Sequence, residues 1–563
     1  MKTIGLSDVI GPIMVGPSSS HTAGALRIAY MARRLCLAEP KTVEFRLLGS
    51  FAHTLTGHGT DKALVAGMLG LAADDLRIRD SFQLAGDAGL AFSFVTLPDE
   101  EYDHPNTIDM RIVDAAGNAM SVRGESIGGG AAVIRKIDDI DVRITGESTS
   151  IVVRQRDETG VLAHIAQSIS DEGVNIATTR MYRERKGDIA YTVLETDQEV
   201  DGAAKAAIED HPAILDVRVI PGDARPGCGS VDAPDAEEAL QRFAEADFGT
   251  GAALLAWCEK HGTTLSEAFL AREAALAESL GYADRSLAYL HETLDVMKCA
   301  AQRPIDEALP SMGGLIGGEA RKLADLRERD GELCDDQLSC AIAYAMAVLE
   351  TNASMGRIVA APTAGSSGVL PGVLLALQRT RGLSDGDLAR GLAAAAAIGY
   401  LITRNATVSG AEGGCQAEIG SAAAMAAAAS VELMGGAPAQ CLDAASNALT
   451  NMMGLVCDPI AGLVEEPCQK RNAAGAAVAL VSAQIALAGI GNLVDFDQTV
   501  EAMRKVGRTL PFELRESALG GIAAAPTACA YCPGCNWRAG RDSAGEQPER
   551  ASAPRVPHPG PLG

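Results

Sequence analysis

The sequence predicts a multidomain protein with an α/β N-terminal domain, a ferredoxin-like α+β domain and a mostly α-helical third domain. A chain of 563 residues exceeds what one hydrophobic core usually supports, so two to four domains are expected. Strand-like alternation and helical periodicity take turns up to residue 221, and helical periodicity dominates afterwards. Aromatic residues make up only 4% of the chain while glycine occurs 60 times, which favours closely packed helices.

The N-terminal α/β domain is predicted to span residues 1–140. Apolar residues recur with helical spacing in "AGALRIAYMARRLC" and "TDKALVAGMLG", and they alternate as in a strand in "TVEFRLLGSF". The segment "MRIVDAAGNAMSV" predicts a hairpin that turns at Gly117-Asn118. The predicted elements, in chain order, are a helix, a strand, a helix and this hairpin: 23–36, 42–51, 60–70 and 110–122.

The second domain, residues 146–221, has a predicted βαββαβ order that begins with "SIVVRQRD" and "GVLAHIAQSISDEG". This order resembles an ACT domain, a regulatory module that commonly binds an amino acid. The resemblance implies an effector site that includes Asp157, Gly160 and Asn175, around the first strand–helix turn. A ferredoxin-like module that binds no ligand and only dimerises is the alternative.

The rest of the chain divides by composition. Residues 222–238 are rich in Pro, Gly and Asp, which predicts a linker. Residues 239–528 are predicted to form the helical domain, with glycine-rich loops between its helices. Residues 529–563 offer few side chains to bury, which predicts a disordered tail.

The charge and the apolar segments limit the class of partner. With 48 basic and 73 acidic residues the formal charge is −25, which argues against nucleic acid or an anionic membrane as a partner. The first residues, "MKTIGLSDVI", lack the apolar run of a signal peptide. The uncharged stretch 473–494 contains polar residues and predicts a buried core helix rather than a membrane span. A cytoplasmic enzyme is therefore expected.

Three cysteines lie in loops defined by glycine or proline. Cys415 follows two glycines at the start of an alanine-rich helix, where backbone N–H groups favour a thiolate. Cys457 and Cys468 bracket "DPIAGLVEEP", a segment that prolines and a glycine make stiff. Thiolates arranged in this way suit a soft metal or an iron–sulfur cluster, although spacings of 42 and 11 residues match no short ferredoxin motif.

Nine of the other ten cysteines divide into two groups, and the tenth, Cys228, lies in the predicted linker. Cys529, Cys532 and Cys535 form a C-x2-C-x2-C run that lacks the further ferredoxin ligand, so zinc binding or free thiols are equally compatible with it. Thirteen cysteines, an odd number, do not indicate a disulfide framework. Six further cysteines in helical contexts are predicted to be buried or without a role: Cys36, Cys258, Cys299, Cys334, Cys340 and Cys441.

Loops rich in small residues are candidate ligand sites, because small residues let the backbone approach a ligand. Two of them, "SMGGLIGGEARK" and "AAPTAGSSGVLPG", each lead into a helix, and neither matches a nucleotide-binding fingerprint. A third, "GPSSSHTAG", lies near the N-terminus. From these loops we take seven candidate substrate-binding residues: Ser18, Ser19, Ser20, Thr363, Gly365, Ser366 and Ser367.

The distribution of histidine restricts the choice of a general base. No histidine occurs between His291 and His558, so a histidine base has to come from the first domain. His21, His58 and His104 lie there in loops, and we take them as candidate catalytic residues.

Six motifs together resemble the bacterial iron–sulfur L-serine dehydratases: "GPSSSHT", "GHGTDKAL", "MGRIVAAPTAGSSGVLPG", "SGAEGGCQAEIG", "CDPIAGLVEEPCQKRN" and "RESALGGIA". The resemblance covers residues 1–525 and implies a fusion of that family's β portion, with its ACT module, and its α portion. It also implies a [4Fe-4S] cluster on Cys415, Cys457 and Cys468, with Cys529 as a possible fourth ligand. The implied reaction is iron-assisted elimination of water from L-serine, which yields pyruvate and ammonium. A homodimer or higher homo-oligomer is also expected.

Three other interpretations remain open at the level of sequence. A pyridoxal-phosphate dehydratase would need a Schiff-base lysine, for which Lys322 after a glycine loop is the candidate. An iron–sulfur hydro-lyase could act on another small hydroxy acid. A non-enzymatic amino-acid sensor would leave the cysteine loops without a purpose.

Overall fold

The structure is a computed structural model, and it describes residues 4–183, 185–196, 198–222, 236–329 and 331–531. Most of the predicted linker and of the predicted tail, including Cys532 and Cys535, lies outside these residues. The predicted multidomain fold class is confirmed: an α/β region comes first, an α+β module follows, and the rest is almost entirely helical.

The first region contains seven strands and four helices. Its strands are β1 (Ile13–Val15), β2 (Pro40–Leu48), β3 (Ala91–Leu97), β4 (Thr107–Asp114), β5 (Ala119–Gly128), β6 (Ala131–Ile137) and β7 (Ile140–Ile144). Its helices are α1 (Gly24–Arg34), α2 (Gly49–Thr54), α3 (Thr60–Met68) and α4 (Ser81–Ala88). Strands β2 to β7 form one sheet in the order β3-β2-β4-β5-β6-β7, in which only the β2–β3 pair is parallel.

Two details of this region differ from the sequence prediction. The predicted strand over 42–51 ends at Leu48, because Gly49, with a φ of +52°, turns the chain into α2. The sheet also continues past residue 140 through β7. The hairpin of β4 and β5 is confirmed, and its turn uses Gly117 with a φ of +86°.

The second region has the predicted βαββαβ order. Its elements are β8 (Thr149–Arg156), α5 (Val161–Asp171), β9 (Ile176–Arg183), β10 (Ile189–Thr196), α6 (Gly202–Glu209) and β11 (Ile214–Ile220). The four strands form an antiparallel sheet in the order β11-β8-β10-β9. Its small core is built around Ile151, Val153, Ile165 and Leu194. Strand β9, at the edge of this sheet, is largely exposed.

The third region contains one short strand, β12 (Arg357–Val359), and fourteen helices within the described residues. These are α7 (Ala236–Ala246), α8 (Gly251–His261), α9 (Leu265–Ser279), α10 (Ser286–Asp306), α11 (Glu319–Glu328), α12 (Asp336–Ala353), α13 (Val369–Arg381), α14 (Asp385–Asn405), α15 (Gly410–Gly413), α16 (Ser421–Leu433), α17 (Pro438–Met452), α18 (Cys468–Leu487), α19 (Phe496–Thr509) and α20 (Pro526–Cys529). Helix α16 is buried over most of its length, and its alanines let α14, α17 and α18 pack closely around it.

Helix α18 corrects one sequence prediction. The stretch 473–494 was expected to be a buried core helix, but the helix ends at Leu487 and only one of its sides is buried. Val481 on the helix, and Ile490 and Leu493 after it, are exposed. Within the part of the chain that the structure describes, no helix has both the length and the apolar character needed to cross a membrane.

A two-stranded sheet joins the first region to the helical region. Strand β1 pairs antiparallel with β12, and Met14 lies opposite Ile358. Nearby, the Asn352 side chain donates hydrogen bonds to the carbonyl oxygens of Pro17 and Ala364, at 3.3 and 2.9 Å. This junction brings the serine-rich loop of the first region next to the threonine- and serine-rich loop of the third.

Candidate active site

The three loop cysteines meet in one buried cavity. Cys415 precedes a π-helical turn, Gln416–Gly420, that leads into α16. Cys457 lies in the loop after α17, and Cys468 is the first residue of α18. All three are buried, and they line one small cavity. The other lining residues come from both the first and the third region: Pro17, Ser18, His58, Gly365, Glu418, Ile419, Pro459, Val464 and Glu516.

The thiols of this cavity resist ionisation in each other's presence. A hydrogen bond with Cys415, followed by burial, raises the pKa of Cys457 well above its ordinary value. Burial and the charge of Cys415 likewise raise the pKa of Cys468. A bound metal cation offsets the cost of ionising these thiols, because it favours the thiolate form of each ligand.

A half-buried carboxyl group lies beside the cysteines. Glu418 accepts a hydrogen bond from the Thr363 hydroxyl at 2.8 Å, and its other oxygen lies 3.8 Å from the sulfur of Cys457. Burial raises the pKa of Glu418 to about 6. Two glycines shape its slot, since a Cβ on Gly365 or Gly410 would lie 3.1 or 2.5 Å from a carboxylate oxygen of Glu418.

Two histidines of the first region adjoin the cavity with different surroundings. The rings of His21 and His58 are 4.5 Å apart in an edge-on arrangement. Each nitrogen of His21 lies 2.9 Å from a hydroxyl group, that of Ser20 or that of Ser50. Neither ring nitrogen of His58 has a hydrogen-bond partner among the described residues, although the side chain is fully buried. Burial lowers the pKa of His58 to about 3, so its ring is neutral near pH 7.

A second acidic residue that lines the cavity, Glu516, comes from the C-terminal part of the helical region. Glu516 has a φ of +61°, and its backbone N–H donates to the carbonyl of Cys457 at 2.8 Å. Its carboxyl oxygen lies 3.9 Å from Nδ1 of His21. Burial, and then the charges of Glu418 and Cys415, raise the pKa of Glu516 well above its ordinary value. This shift favours the neutral form of the carboxyl group, the form that can donate a hydrogen bond.

The donor set fits a soft-metal cofactor. Cys415, Glu418 and Cys457 have ligand atoms within 4.8 Å of one another, and Cys468 lines the same cavity. Three sulfur donors and few oxygens suit iron–sulfur or zinc chemistry better than magnesium or calcium. The unpartnered nitrogens of His58 show that this cavity also has hydrogen-bonding capacity that the described residues do not use.

Comparison with known proteins decides the family. The family "Serine dehydratase alpha chain" matches residues 259–523, "Serine dehydratase beta chain" matches residues 9–89, and "ACT domain" matches residues 149–213. The "L-serine dehydratase" of Mycobacterium bovis is 31% identical over 537 residues, which is 92% of this chain and 98% of the relative. The chain belongs to the L-serine dehydratase family.

Members of this family with separate chains match the two halves of this one. The "Probable L-serine dehydratase, alpha chain" of Bacillus subtilis is 44% identical over 263 residues, 47% of this chain and 87% of the relative. The "L-serine dehydratase, beta chain" of Peptoniphilus asaccharolyticus is 40% identical over 201 residues, 36% of this chain and 90% of the relative. The resemblance expected from the sequence, to a fused L-serine dehydratase with an ACT module, is therefore confirmed.

Of the seven candidate substrate-binding residues in this dehydratase, Ser18 and Gly365 line the cysteine cavity. The other five are buried in the same two loops. Ser20 contacts His21, Thr363 contacts Glu418 and Ser366, and the hydroxyl of Ser367 has no partner among the described residues. Ser19 begins the π-helical turn that carries His21.

The remaining candidate residues lie outside the cavity lining. His104 is half-buried, and its Nδ1 accepts a hydrogen bond from the N–H of Asn106 at 3.2 Å. The thiol of Cys529, the possible fourth ligand, faces the carbonyl of Ala523 at 3.8 Å rather than the cavity. In the ACT module, Asp157 accepts hydrogen bonds from Arg183 and from the N–H of Gly187, at 2.7 and 2.9 Å.

Gly160 and Asn175 complete the predicted effector site of the dehydratase. Both are exposed. Gly160 has a φ of +95° at the start of α5, with open space where a Cβ would point. The N–H of Asn175 donates to the side chain of Gln198 at 2.8 Å.

The composition of the glycine-rich loop before α11 suggested that its backbone N–H groups bind a ligand. Its backbone N–H groups are taken by the protein's own carboxylates: Glu465 accepts from Gly313 and Leu315, and Glu350 accepts from Gly318 and Ala320. These contacts anchor the loop to α12 and to the segment between Cys457 and Cys468. Lys322 is exposed and pairs with Glu319, so it is not placed to form a buried Schiff base.

Sequence reasoning missed three charged residues of the site: Glu418, Arg471 and Glu516. Each lies in a motif that had been recognised, three residues after Cys415, three after Cys468 and within "RESALGG". Acidic or basic residues so close to candidate metal ligands were the available signal. Their burial, however, depends on contacts between segments far apart in the chain.

Proposed function

We propose that this protein is an L-serine dehydratase that converts L-serine to pyruvate and ammonium. The observation that carries the proposal is the single cavity lined by three buried cysteines and by a buried histidine with two unpartnered ring nitrogens. Relatives named L-serine dehydratase that align along nearly the whole chain support the same activity.

We further propose that Cys415, Cys457 and Cys468 hold a [4Fe-4S] cluster. When it is bound, an iron without a protein thiol supplies a Lewis acid for the departing hydroxyl group of serine. The loop between Cys457 and Cys468 is held in place at two points: Glu465 within it accepts hydrogen bonds from Ser311 and Gly313, and Gln469, next to Cys468, donates to Glu350. Cys529 is not among the residues that line the cavity, so we leave it out of the proposed ligand set.

The protein's own groups handle the proton. A neutral ring nitrogen of His58 can accept the Cα proton, since it is buried, lines the cavity and has no competing hydrogen bond. His21 is held by Ser20 and Ser50, which suits it to orient its neighbour. Loss of the Cα proton and of the hydroxyl group removes one water from serine. The resulting enamine then reacts with water to give pyruvate and ammonium.

Burial of the cavity protects this chemistry. Ile419, Pro459 and Val464 form its apolar wall. Exclusion of bulk water strengthens the electrostatic interactions inside the cavity. The Ser18 hydroxyl and, in its neutral form, the Glu516 carboxyl group can donate hydrogen bonds there, and a substrate carboxylate needs such donors.

A substrate panel tests the activity. We expect anaerobically prepared protein to release equal amounts of pyruvate and ammonium from L-serine. D-serine and L-malate should react far more slowly, and L-threonine tests how much room the cavity offers at the β-carbon. Turnover of a hydroxy acid without turnover of L-serine would favour the alternative hydro-lyase, and no turnover of any substrate by iron-loaded protein would contradict the proposal.

We also propose that the ACT module binds an amino-acid effector near Asp157, Gly160 and Asn175, and that the protein is a homo-oligomer. Asp157 supports the first part, because Arg183 and the N–H of Gly187 hold its carboxylate at the first strand–helix turn. The exposed edge strand β9 supports the second part, because an unpaired strand edge favours association. Light scattering with and without L-serine measures both.

A further inference from the structure

Arg471 contacts all three cysteine-bearing segments. It lies on the first turn of α18, three residues after Cys468. Its Nη1 lies 3.7 Å from the sulfur of Cys415, 2.9 Å from the carbonyl oxygen of Val456 and 2.7 Å from Oδ1 of Asp458. Val456 and Asp458 flank Cys457, so one guanidinium group connects the three segments.

Asp458, the ion-pair partner of Arg471, is itself held in place by the chain around Gly521. Asp458 is buried, and its Oδ2 accepts a hydrogen bond from the N–H of Ile522 at 2.6 Å. The chain passes so close there that a Cβ on Gly521 would lie 2.1 Å from the same oxygen. Arg471 therefore cannot move away from Cys415 without separating from Asp458, which would be left as a buried charge without its partner.

Arg471 does not belong to the cavity lining. Its charge is already paired with Asp458, and it reaches Cys415 from outside the cavity. A group that binds substrate would face the cavity. Arg471 instead contacts a proposed metal ligand from outside the cavity. Hydrogen bonds and positive charge at ligand sulfurs are known to set the reduction potential of iron–sulfur clusters.

We propose that Arg471 is a positioning residue that raises the reduction potential of the cluster and slows its oxidative loss of iron. The inference rests on the proposed cluster. A cation next to the sulfur of Cys415 stabilises the more negative, reduced state of the cluster relative to the oxidised state. Oxidation by air then becomes less favourable, and the iron that lacks a protein thiol is retained for longer.

The test compares Arg471→Met with Lys470→Met, the matched control. Lys470 is the preceding residue on the same helical turn, but it is exposed and pairs with Glu466. Both variants lose one positive charge. After anaerobic reconstitution, iron and sulfide are counted, the potential of the cluster is measured by redox titration with electron paramagnetic resonance, and iron release in air is followed.

Arg471→Met should bind a full cluster anaerobically, with a midpoint potential lower by about 59 mV, a tenfold change in a one-electron equilibrium. It should also lose iron in air several times faster than the wild type, while Lys470→Met should match the wild type in both measurements. A potential and a rate of iron loss equal to those of the wild type in Arg471→Met would overturn the inference.

Arg471→Gln covers the case in which the methionine variant does not fold. Its amide can still donate a hydrogen bond to Asp458 but carries no charge, so the potential of the cluster should again fall by about 59 mV. An unchanged potential in this variant would then overturn the inference. If the wild type assembles no cluster at all, it is the proposed function that fails, and the two failures are thus distinguishable.

Discussion

The candidate residues of the cysteine cavity and those of the ACT module have different surroundings. In the cavity, His58 and Glu516 are buried and Glu418 is half-buried, and the nitrogens of His58 have no partner among the described residues. In the ACT module, Asp157 has two hydrogen-bond donors, and the space beside Gly160 is open. A buried polar group without a partner is costly, so the unpartnered nitrogens of His58 beside three cysteines mark it as a candidate to bind a ligand or take part in a reaction.

This difference assigns separate tasks to the two regions. The cavity is lined by residues from both the first and the third region. The ACT module has its own apolar core and contributes no residue to the cavity lining. Substitutions in the cavity should therefore abolish turnover, whereas substitutions in the ACT module should change only how turnover responds to an effector.

The largest effect is expected at the cysteines. Cys457→Ser should lose iron and activity together, because a serine oxygen is a poor substitute for a soft thiolate ligand. Cys299→Ser is the control, since Cys299 is exposed on α10. Iron analysis and pyruvate release measure both variants. Full iron content and full turnover in Cys457→Ser would remove that cysteine from the ligand set.

A large effect is also expected at His58. His58→Gln should lower kcat by about 10²- to 10⁴-fold, the usual contribution of a general acid–base group, with the iron content unchanged. His53→Gln is the control, because His53 lies in the same segment but is exposed. Kinetics near those of the wild type in His58→Gln would return this histidine to a structural role.

An intermediate effect is expected where the slot for Glu418 is narrowed. Gly410→Ala places a methyl group 2.5 Å from Oε2 of Glu418, which forces the carboxyl group out of its slot. Turnover should fall by about tenfold to a hundredfold, as expected for a displacement on the order of 1 Å. In Gly386→Ala, the control on α14, the added Cβ has no neighbour closer than 3.7 Å. Equal kcat in the two variants would show that Glu418 need not stay in place.

The smallest effect on turnover is expected in the ACT module. Asp157→Ala should leave kcat and the iron content unchanged but alter the lag or the curvature of rate against L-serine concentration. Glu158→Ala, at the exposed neighbouring residue, should behave as the wild type. A loss of iron in Asp157→Ala would contradict the separation of the two regions.

The same comparison explains what the sequence could predict. The ACT module was predicted element by element, because its strands and helices follow local periodicity over some 70 residues. The cysteine loops were visible from Gly414, Pro459 and Pro467. The β1–β12 pair was not predicted, because three-residue strands more than 300 positions apart carry no local signal. The burial of Glu516 was missed for the same reason, since it depends on a loop that folds back onto Cys457.

Mössbauer spectroscopy of protein reconstituted with ⁵⁷Fe, with and without L-serine, tests most directly whether the cysteine cavity holds a catalytic cluster. We expect about four irons per chain in a cuboidal cluster, with the signal of one of them changed by the substrate. The same preparation should release pyruvate. Pyruvate release by protein that contains no iron–sulfur cluster, or a cluster in which L-serine changes no iron signal, would contradict the account.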